Sequence, residues 1–462
     1  MKKIIIGIFI VLIIVTNFAV LYSPRTPKTL VCCDEIEYYT IAKNLADGKG
    51  YSLNAQEPFN PTLLREPGYP LFLAFMLKVG NGKLILAQIF NALLSLGTAL
   101  LLFKLSGELL SRSLAIIPPV IFLISPRVAY YSWTILSDIL AAFLVAASIL
   151  SLWVALHAHK RRHFFVTGLI FGIMVLTKMS FLLLLPALIT IAILLKLIAR
   201  WSKKNIWNIE DLHITTSRLL ILVCGFILVL APWFARNVSQ FGTLTPTVRT
   251  GQLIFERTRH YNHLTPTFQG LAQIPNDILA GWSTAFQQEK KPPIKSPSGV
   301  IYDAASAPGH FFALNTNRSE READQIMARE SVKLIRTYPY LYLFQIPFEF
   351  LKFNYLEFLP GVFNTISGQS MPLAQLIVLA GLILIISILS FCLFLRGIIA
   401  LYRNASLLGW LILLFLLYTN IIHELLYVTP RYSFVVYPII ALVIVYGAET
   451  LKIKKQFVFN HL

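Results

Sequence analysis

Runs of about twenty mostly apolar residues recur about ten times along this chain, near 4–22, 83–103, 114–131, 136–156, 164–178, 180–199, 219–235, 373–395, 405–422 and 432–450. Each is long enough to cross a hydrocarbon layer as a helix, and in lipid only a helix or a closed barrel satisfies its own backbone groups. Charged residues are 13% of the 462 and hydrophobic residues 56%, about half the charge a soluble domain carries. The expected fold class is therefore an all-α polytopic membrane protein, a bundle of about ten transmembrane helices. Pro118, Pro119, Pro126 and Gly172 are the candidate breaks within it.

The formal net charge is +18, yet no aromatic-interleaved basic module accompanies it, which sets nucleic acid aside as a partner. The cations collect instead in alternate connections: "KLSGELLSR", "HAHKRRH", "ARWSKKNIWNIEDLHITTSR", "RGIIALYRN" and the tail "KIKK". The short connections between them hold almost no Lys or Arg. By the positive-inside rule this predicts a cytoplasmic N-terminus, with the even-numbered connections in the cytoplasm. "MKK" with about 19 apolar residues behind it outruns a signal-peptide core, and "AVLYSPRTP" is a poor cleavage site. The segment is expected to stay as the first span. The four cysteines suggest no disulfide framework.

Three parts follow from this parity. Residues 1–235 read as an N-terminal transmembrane module whose first outer loop, 23–82, carries an acidic pair. Residues 236–371 read as a large outer-face region with amphipathic or interfacial helices, and 372–462 as the C-terminal spans with a short basic tail. The aromatic stretch "YPYLYLFQIPFEFLKFNYLEF" (338–358) is expected at the interface. Counted as a span, it would place the cations behind it on the wrong side. Ser319 and Glu322 stand at capping-box spacing and predict a helix start, and "QQEKKPPIKSPSG" predicts a flexible stretch.

The chain holds 22 acidic residues, and Asp34, Glu35 and Glu37 crowd the point where the first apolar run ends. On the same predicted face lie Arg65, Asp138, Lys178, Arg236, His423, Glu424 and Arg431. Ionisable groups at membrane depth are costly and commonly mark a site, and here both signs converge on one face. Each has a plainer reading as well. Asp138 could cap a helix start, and Lys178 and Arg236 could be snorkelling anchors. Arg431 could serve carbonyls beside Pro430, and His423 could be a hydrogen-bonded boundary residue. Asp34 and Glu35 could be solvated loop charge, although "REPGYP", with Arg65 and Tyr69, is stiffer than a solvent loop requires. An acidic pair can hold a divalent cation, but no H-x-x-H or C-x-x-C pattern completes a ligand set, so no metal residue is assigned.

Taken in order, "CCDEIEYYTIAKNLADGKGY", "LLREPGYPLFLAFM", "ILSDILAAFL", "GLIFGIMVLTKMSFLLLLPAL", "LAPWFARNVSQFG", "ESVKLIRTYPYLYLF" and "PRYSFVVYPIIALVIVYG" resemble the GT-C membrane glycosyltransferases. The nearest branch is the bacterial protein O-mannosyltransferase and aminoarabinose-transferase group. The resemblance covers nearly the whole chain and is weakest through 250–318. It implies a GT-C-type bundle with Asp34 as the catalytic aspartate and Glu35 in the paired acidic place. It also places Asp138 at a recurrent acidic position, Lys178 and Arg431 at recurrent basic ones, and Arg65 near the basic residue before the family's proline turn. Arg65, Lys178, Arg236 and Arg431 are the candidates for the donor phosphate, and Asp138, Tyr69, Glu424 and His423 those for the substrate.

No nucleotide-sugar motif is present, and the predicted site faces away from the cytoplasm. An enzyme so placed needs a donor that crosses the bilayer, a polyprenyl-phosphate sugar, and a glycan, lipid or protein acceptor. Asp34 would act as general base and the cations would stabilise the leaving phosphate. The resemblance implies inversion by single displacement. The expected location is the bacterial inner membrane, with the site on the periplasmic side. The alternative from another class is a transporter or lipid-linked-sugar flippase, which calls for polar groups through the midplane.

Overall fold

The computed structural model describes residues 7, 9, 11–12, 33–202, 215–258, 294–295, 301–302, 319–351, 373–404, 406–426 and 430–459. Apolar runs become helices wherever nothing interrupts their backbone ladder. The chain enters as α1 (Cys33–Ala46) and α2 (Gly68–Val79), then the long α3 (Ile85–Leu109). Two short helices, α4 (Ile117–Ile124) and α5 (Pro126–Trp133), precede α6 (Asp138–Ala158), α7 (Arg161–Thr177), α8 (Leu184–Ser202) and α9 (Thr216–Phe241). The remainder is α10 (Thr250–Thr258), α11 (Glu320–Thr337), α12 (Pro339–Leu351), α13 (Leu373–Asn404), α14 (Leu407–Leu426), α15 (Pro430–Ser433) and α16 (Tyr437–Phe459). One antiparallel pair of two-residue strands, Ile294 opposite Tyr302 and Lys295 opposite Ile301, falls partly in the stretch predicted flexible.

Five of the described helical segments are long and apolar enough to cross a membrane: Ile85–Leu109, Asp138–Ala158, Thr216–Phe241, Leu407–Leu426 and Arg431–Leu451. The third expected span, 114–131, is corrected. It is two helices of 8 residues each, broken at Ser125, whose φ of −64° and ψ of 126° are extended. Pro126 has no N–H to give the previous turn and drives the residue before it out of the helical region. Eight residues rise only about 12 Å, too little for a crossing. The first expected span lies outside the described residues except for helical positions 7, 9, 11 and 12, as does 352–358 of the aromatic stretch.

The bundle interior is aromatic and aliphatic: Phe122, Phe171, Phe181, Phe415 and Phe434 are fully buried. Leu228, Ile385 and Leu389 on the outside are 58%, 56% and 59% exposed, a surface suited to lipid rather than water. A second cluster joins Tyr38, Tyr69 and Leu73 to Ile135 and Leu136, which fastens α1 and α2 onto the turn between α5 and α6. The capping box forms as its spacing predicts. Ser319 Oγ accepts from the Glu322 N–H at 3.3 Å, and Glu322 Oε2 accepts from the Ser319 N–H at 3.0 Å.

Candidate active site

The acidic cluster sits in the first turn of α1, where a helix N-terminus favours negative charge. Positions 34, 37 and 38 share one helical face, and that face meets Arg65. Arg65 is fully buried. Its Nη2 donates to Asp34 Oδ1 and its Nε to Glu37 Oε2, and the guanidinium lies 5.0 Å from the centre of the Tyr38 ring. The other Asp34 oxygen, Oδ2, accepts from Arg431 Nη1 at 2.5 Å. Both oxygens of one carboxylate are thus held by two arginines that lie far apart in the chain.

Arg431 in turn leans on Asp138, with Nε and Nη2 each 2.9 Å from Oδ2. Lys178 Nζ takes the other Asp138 oxygen at 3.1 Å. Asp138 has no solvent exposure, against 23% for the Arg431 and Asp34 side chains and 13% for Lys178. Its place at the first residue of α6 is a helix start, as the plainer reading had it, but the neighbouring Ser137 makes no side-chain cap and the carboxylate faces the two cations. Lys178 reaches Asp138 from the break between α7 and the 3₁₀ turn Met179–Phe181. The α7 end and the α2 start approach closely there. A Cβ on Gly68 would lie 2.7 Å from Thr177 Oγ1 and 2.8 Å from the Leu176 carbonyl, so the "REPGYP" turn needs its glycine.

Burial pushes the Asp34 carboxyl up, but the Arg65, Arg431 and Arg249 guanidiniums together outweigh it and hold its pKa well below the ordinary 3.8. The resting group is an anion locked between cations. Burial also pushes the Tyr38 phenol up to about 12, so it stays neutral.

The segment carrying Arg65 is braced from elsewhere. Arg236 Nη1 donates to the Thr62 carbonyl at 3.0 Å and stacks on Tyr51 and Trp233 at 5.2 and 4.7 Å. Glu320, at the head of α11, accepts from Thr62 Oγ1 at 2.7 Å and from the Leu63 N–H at 2.8 Å. The Val248 N–H reaches the Leu63 carbonyl at 3.2 Å, and Tyr51 donates to the Arg65 carbonyl at 2.9 Å.

Of the residues singled out in sequence, the structure joins Asp34, Arg65, Asp138, Lys178 and Arg431 in one chain of ion pairs. Arg236 stands outside it, one strand of backbone away. Glu35 turns aside: its Oε1 accepts from the Ile135 N–H at 2.8 Å, so it ties α1 to the α5–α6 turn. Tyr69 is fully buried with its ring 5.1 Å from Tyr38. His423 packs on Tyr432 at 5.0 Å, beside Lys178, which lies over the Tyr432 ring at 5.3 Å, and Glu424 follows it on buried α14.

Two participants were missed. Glu37, not Glu35, shares Arg65 with Asp34; the i, i+3 spacing of 34 and 37 on a helix was the available signal. Arg249, just ahead of α10, is half-buried and acts on Asp34 through space; nothing in "TPTVRTGQ" marks it. The donor set does not suit a divalent cation as arranged, because Asp34 and Asp138 have both oxygens on cations. Among the described residues no three His, Cys, Asp or Glu converge.

Residues 61–228 match the family described as dolichyl-phosphate-mannose-protein mannosyltransferase. That segment contains Arg65, Asp138 and Lys178 but neither Asp34 nor Arg431. No curated protein sequence matches the chain at a significant level. Among solved structures it is similar to the oligosaccharyltransferase AglB from Archaeoglobus fulgidus, in complex with an inhibitory peptide and a dolichol-phosphate. The TM-score is 0.53 at 12% identity, over 98% of this chain and 52% of that one. The apo form of the Archaeoglobus fulgidus enzyme gives 0.52 at 13% identity, over 98% and 51%. ArnT from Cupriavidus metallidurans, bound to undecaprenyl phosphate, gives 0.42 at 11%, over 97% and 77%. The chain spans about half the length of the archaeal proteins, and at such identity the likeness is one of fold.

Proposed function

Taking the chain as a member of the GT-C superfamily, we propose that it is an integral membrane glycosyltransferase that moves a sugar from a polyprenyl-phosphate donor to an acceptor hydroxyl. The observation that supports this most is the state of Asp34, one carboxylate clasped on both oxygens by arginines at the end of an apolar bundle. Two fixed guanidiniums in a site of low dielectric are what a phosphate leaving group calls for.

In this reading the donor phosphate engages Arg431 and Arg65, with Lys178 and Arg249 close by. Asp138 positions Arg431 and Lys178, while Arg236 holds the backbone that carries Arg65. Tyr69, His423 and Glu424 belong to the walls, and Glu35 anchors α1. The acceptor oxygen forms a bond to the anomeric carbon as the bond from that carbon to the phosphate oxygen breaks. The electron pair leaves with the phosphate, and the acceptor proton passes to Asp34. A base works best with a pKa near the working pH, and the resting Asp34 lies far below it. Donor binding corrects this: phosphate oxygens compete for the guanidinium N–H groups, and Asp34, partly released, becomes the stronger base. An Asp34 that works alone suits inversion: a retaining pair stands about 5 Å apart, Glu35 is turned to the Ile135 N–H, Glu37 is held by Arg65 and Asp138 by Arg431 and Lys178.

In this proposal the region 23–82 supplies Asp34 and Arg65, the region 236–371 supplies Arg249 and the Glu320 brace, and Asp138, Lys178 and Arg431 come from helix ends. The distribution of Lys and Arg puts the site on the periplasmic side of a bacterial inner membrane. The test uses purified protein and a labelled polyprenyl-phosphate sugar. Asp34→Asn should lower transfer by about 10²–10⁴-fold and, by removing the counter-charge of Arg65 and Arg431, lower the melting midpoint while donor binding is kept. Full activity in Asp34→Asn would remove it from the mechanism, and lipid movement without transfer would favour a flippase.

A further inference from the structure

Arg257 lies on α10 and is 4% exposed. Its guanidinium stacks 4.0 Å from the centre of the Tyr342 ring, and its Nη2 donates to the Tyr342 carbonyl at 3.2 Å. Its Nε and Nη1 are buried without a hydrogen-bond partner, and among the described residues it forms no ion pair. A cation withdrawn from water without an anion is costly, and Arg cannot escape by losing its proton. Nothing in the packing of α10 explains it. That helix is held to α11 by its other side, through Gly251, Phe255, Ala323 and Met327.

The surroundings connect Arg257 to the candidate site. Tyr342 donates to the Leu425 carbonyl at 2.5 Å, next to Glu424 and His423 on α14. The head of the same helix is Arg249, whose Nε is also buried without a partner. Eight residues of helix separate Arg249 from Arg257, a rise of about 12 Å. Arg257 takes no part in the contacts that join Arg65 and Arg431 to Asp34.

We propose that Arg257 is a second anion site, which takes a phosphate group carried by the acceptor while the acceptor's hydroxyl lies at Asp34. This rests on the transferase reading and gives the acceptor a chemical class: a phosphate-bearing lipid or glycan. A bilayer lipid offers the same phosphate chemistry, and the phosphatidylglycerol arm of the test distinguishes it.

The test is a binding measurement that needs no turnover. Full-length protein in nanodiscs of phosphatidylcholine is saturated with undecaprenyl phosphate, which fills the Asp34 cluster. Inorganic phosphate is then titrated against chloride at constant ionic strength, with the thermal midpoint as readout. The wild type should show a saturable upward shift. Arg257→Gln should weaken the apparent phosphate affinity about tenfold, as expected for a lost charge-assisted pair, and Arg249→Gln, read at undecaprenyl phosphate levels that still saturate the variant, should leave it unchanged. Should Arg257→Gln fold poorly, Arg257→Lys keeps the charge without the planar fork and should lose about threefold.

Phosphate binding that is insensitive to both Arg257 variants, or lost in Arg249→Gln instead, overturns the proposal. Discs containing phosphatidylglycerol separate the two sources: if they abolish the Arg257-dependent response, the site takes a bilayer headgroup and the acceptor assignment fails. If undecaprenyl phosphate itself does not bind, the transferase reading fails, while the difference between wild type and Arg257→Gln still reports on this site.

Discussion

Consider Arg65→Gln. The wild-type guanidinium is fully buried and serves two carboxylates at once. Asp34 has a second partner in Arg431. Glu37 has no other cation within ion-pair distance among the described residues, and its side chain is 11% exposed. Removing one partner of a buried pair leaves an uncompensated charge and costs about 3–5 kcal/mol. Most of that cost therefore comes from Glu37 and not from the candidate base.

The claim can be isolated with a cycle over Arg65→Gln, Glu37→Gln and the double variant. Groups in contact couple by about 0.5–3 kcal/mol, and a shared buried ion pair belongs at the upper end. At about 2.1 cal/mol/K per residue, the 462 residues unfold with an entropy of roughly 1 kcal/mol/K. Arg65→Gln should then lower Tm by about 3–5 °C when followed by tryptophan fluorescence in detergent. Glu37→Gln should be destabilising in the wild type but neutral or stabilising in the Arg65→Gln background. If it lowers Tm equally in both, Glu37 and Arg65 are not energetically paired and the account of the site is wrong.

The remaining expectations follow from the same contacts. Asp138→Asn strips Arg431 and Lys178 of their buried counter-charge, so it should destabilise by about 3–5 kcal/mol and raise the donor KM by tenfold or more; a normal KM would separate Asp138 from the donor site. Because the Asp34 pKa is depressed below 3.8, its contribution to stability is complete above that value and is lost as pH falls through the folded pKa. The acid limb of kcat/KM for the donor should likewise lie below about pH 4, while the limb of kcat shifts upward once donor phosphate draws the arginines away; coincident limbs would refute the release step. On Gly251 an added Cβ would lie 1.9 Å from the Asp324 carbonyl oxygen, so Gly251→Ala should push α10 off α11. Limited proteolysis should find faster cleavage around 243–258, and unchanged cleavage would show that the two helices tolerate separation.

The helices of this fold are readable from sequence because lipid leaves the backbone few choices, and local chemistry sets their ends. Ser319 and Glu322 announce α11 within four residues, and Pro126 announces the break between α4 and α5. The length rule alone failed at 114–131, because an apolar run reports on solvent while the proline decides whether its ladder is continuous.

The site is different in kind. Its bonds join positions 31, 40, 293 and 397 residues apart, and no local period encodes such pairings. What sequence can do is name charged residues too expensive to bury idly, and that search found Asp34, Arg65, Asp138, Lys178 and Arg431. It could not say which cations are already matched. Arg65, Arg431 and Lys178 each face a carboxylate in the resting fold, so their charge is largely answered before any ligand arrives. In the proposed reading a donor phosphate competes for them, and the competition frees Asp34. Arg249 and Arg257, which nothing in the sequence marks, keep buried donors without a partner, as Arg65 and Arg236 do. On the same proposed reading, matched cations beside Asp34 make catalysis conditional on the donor, and Arg257, further along α10, gives a second anion somewhere to bind.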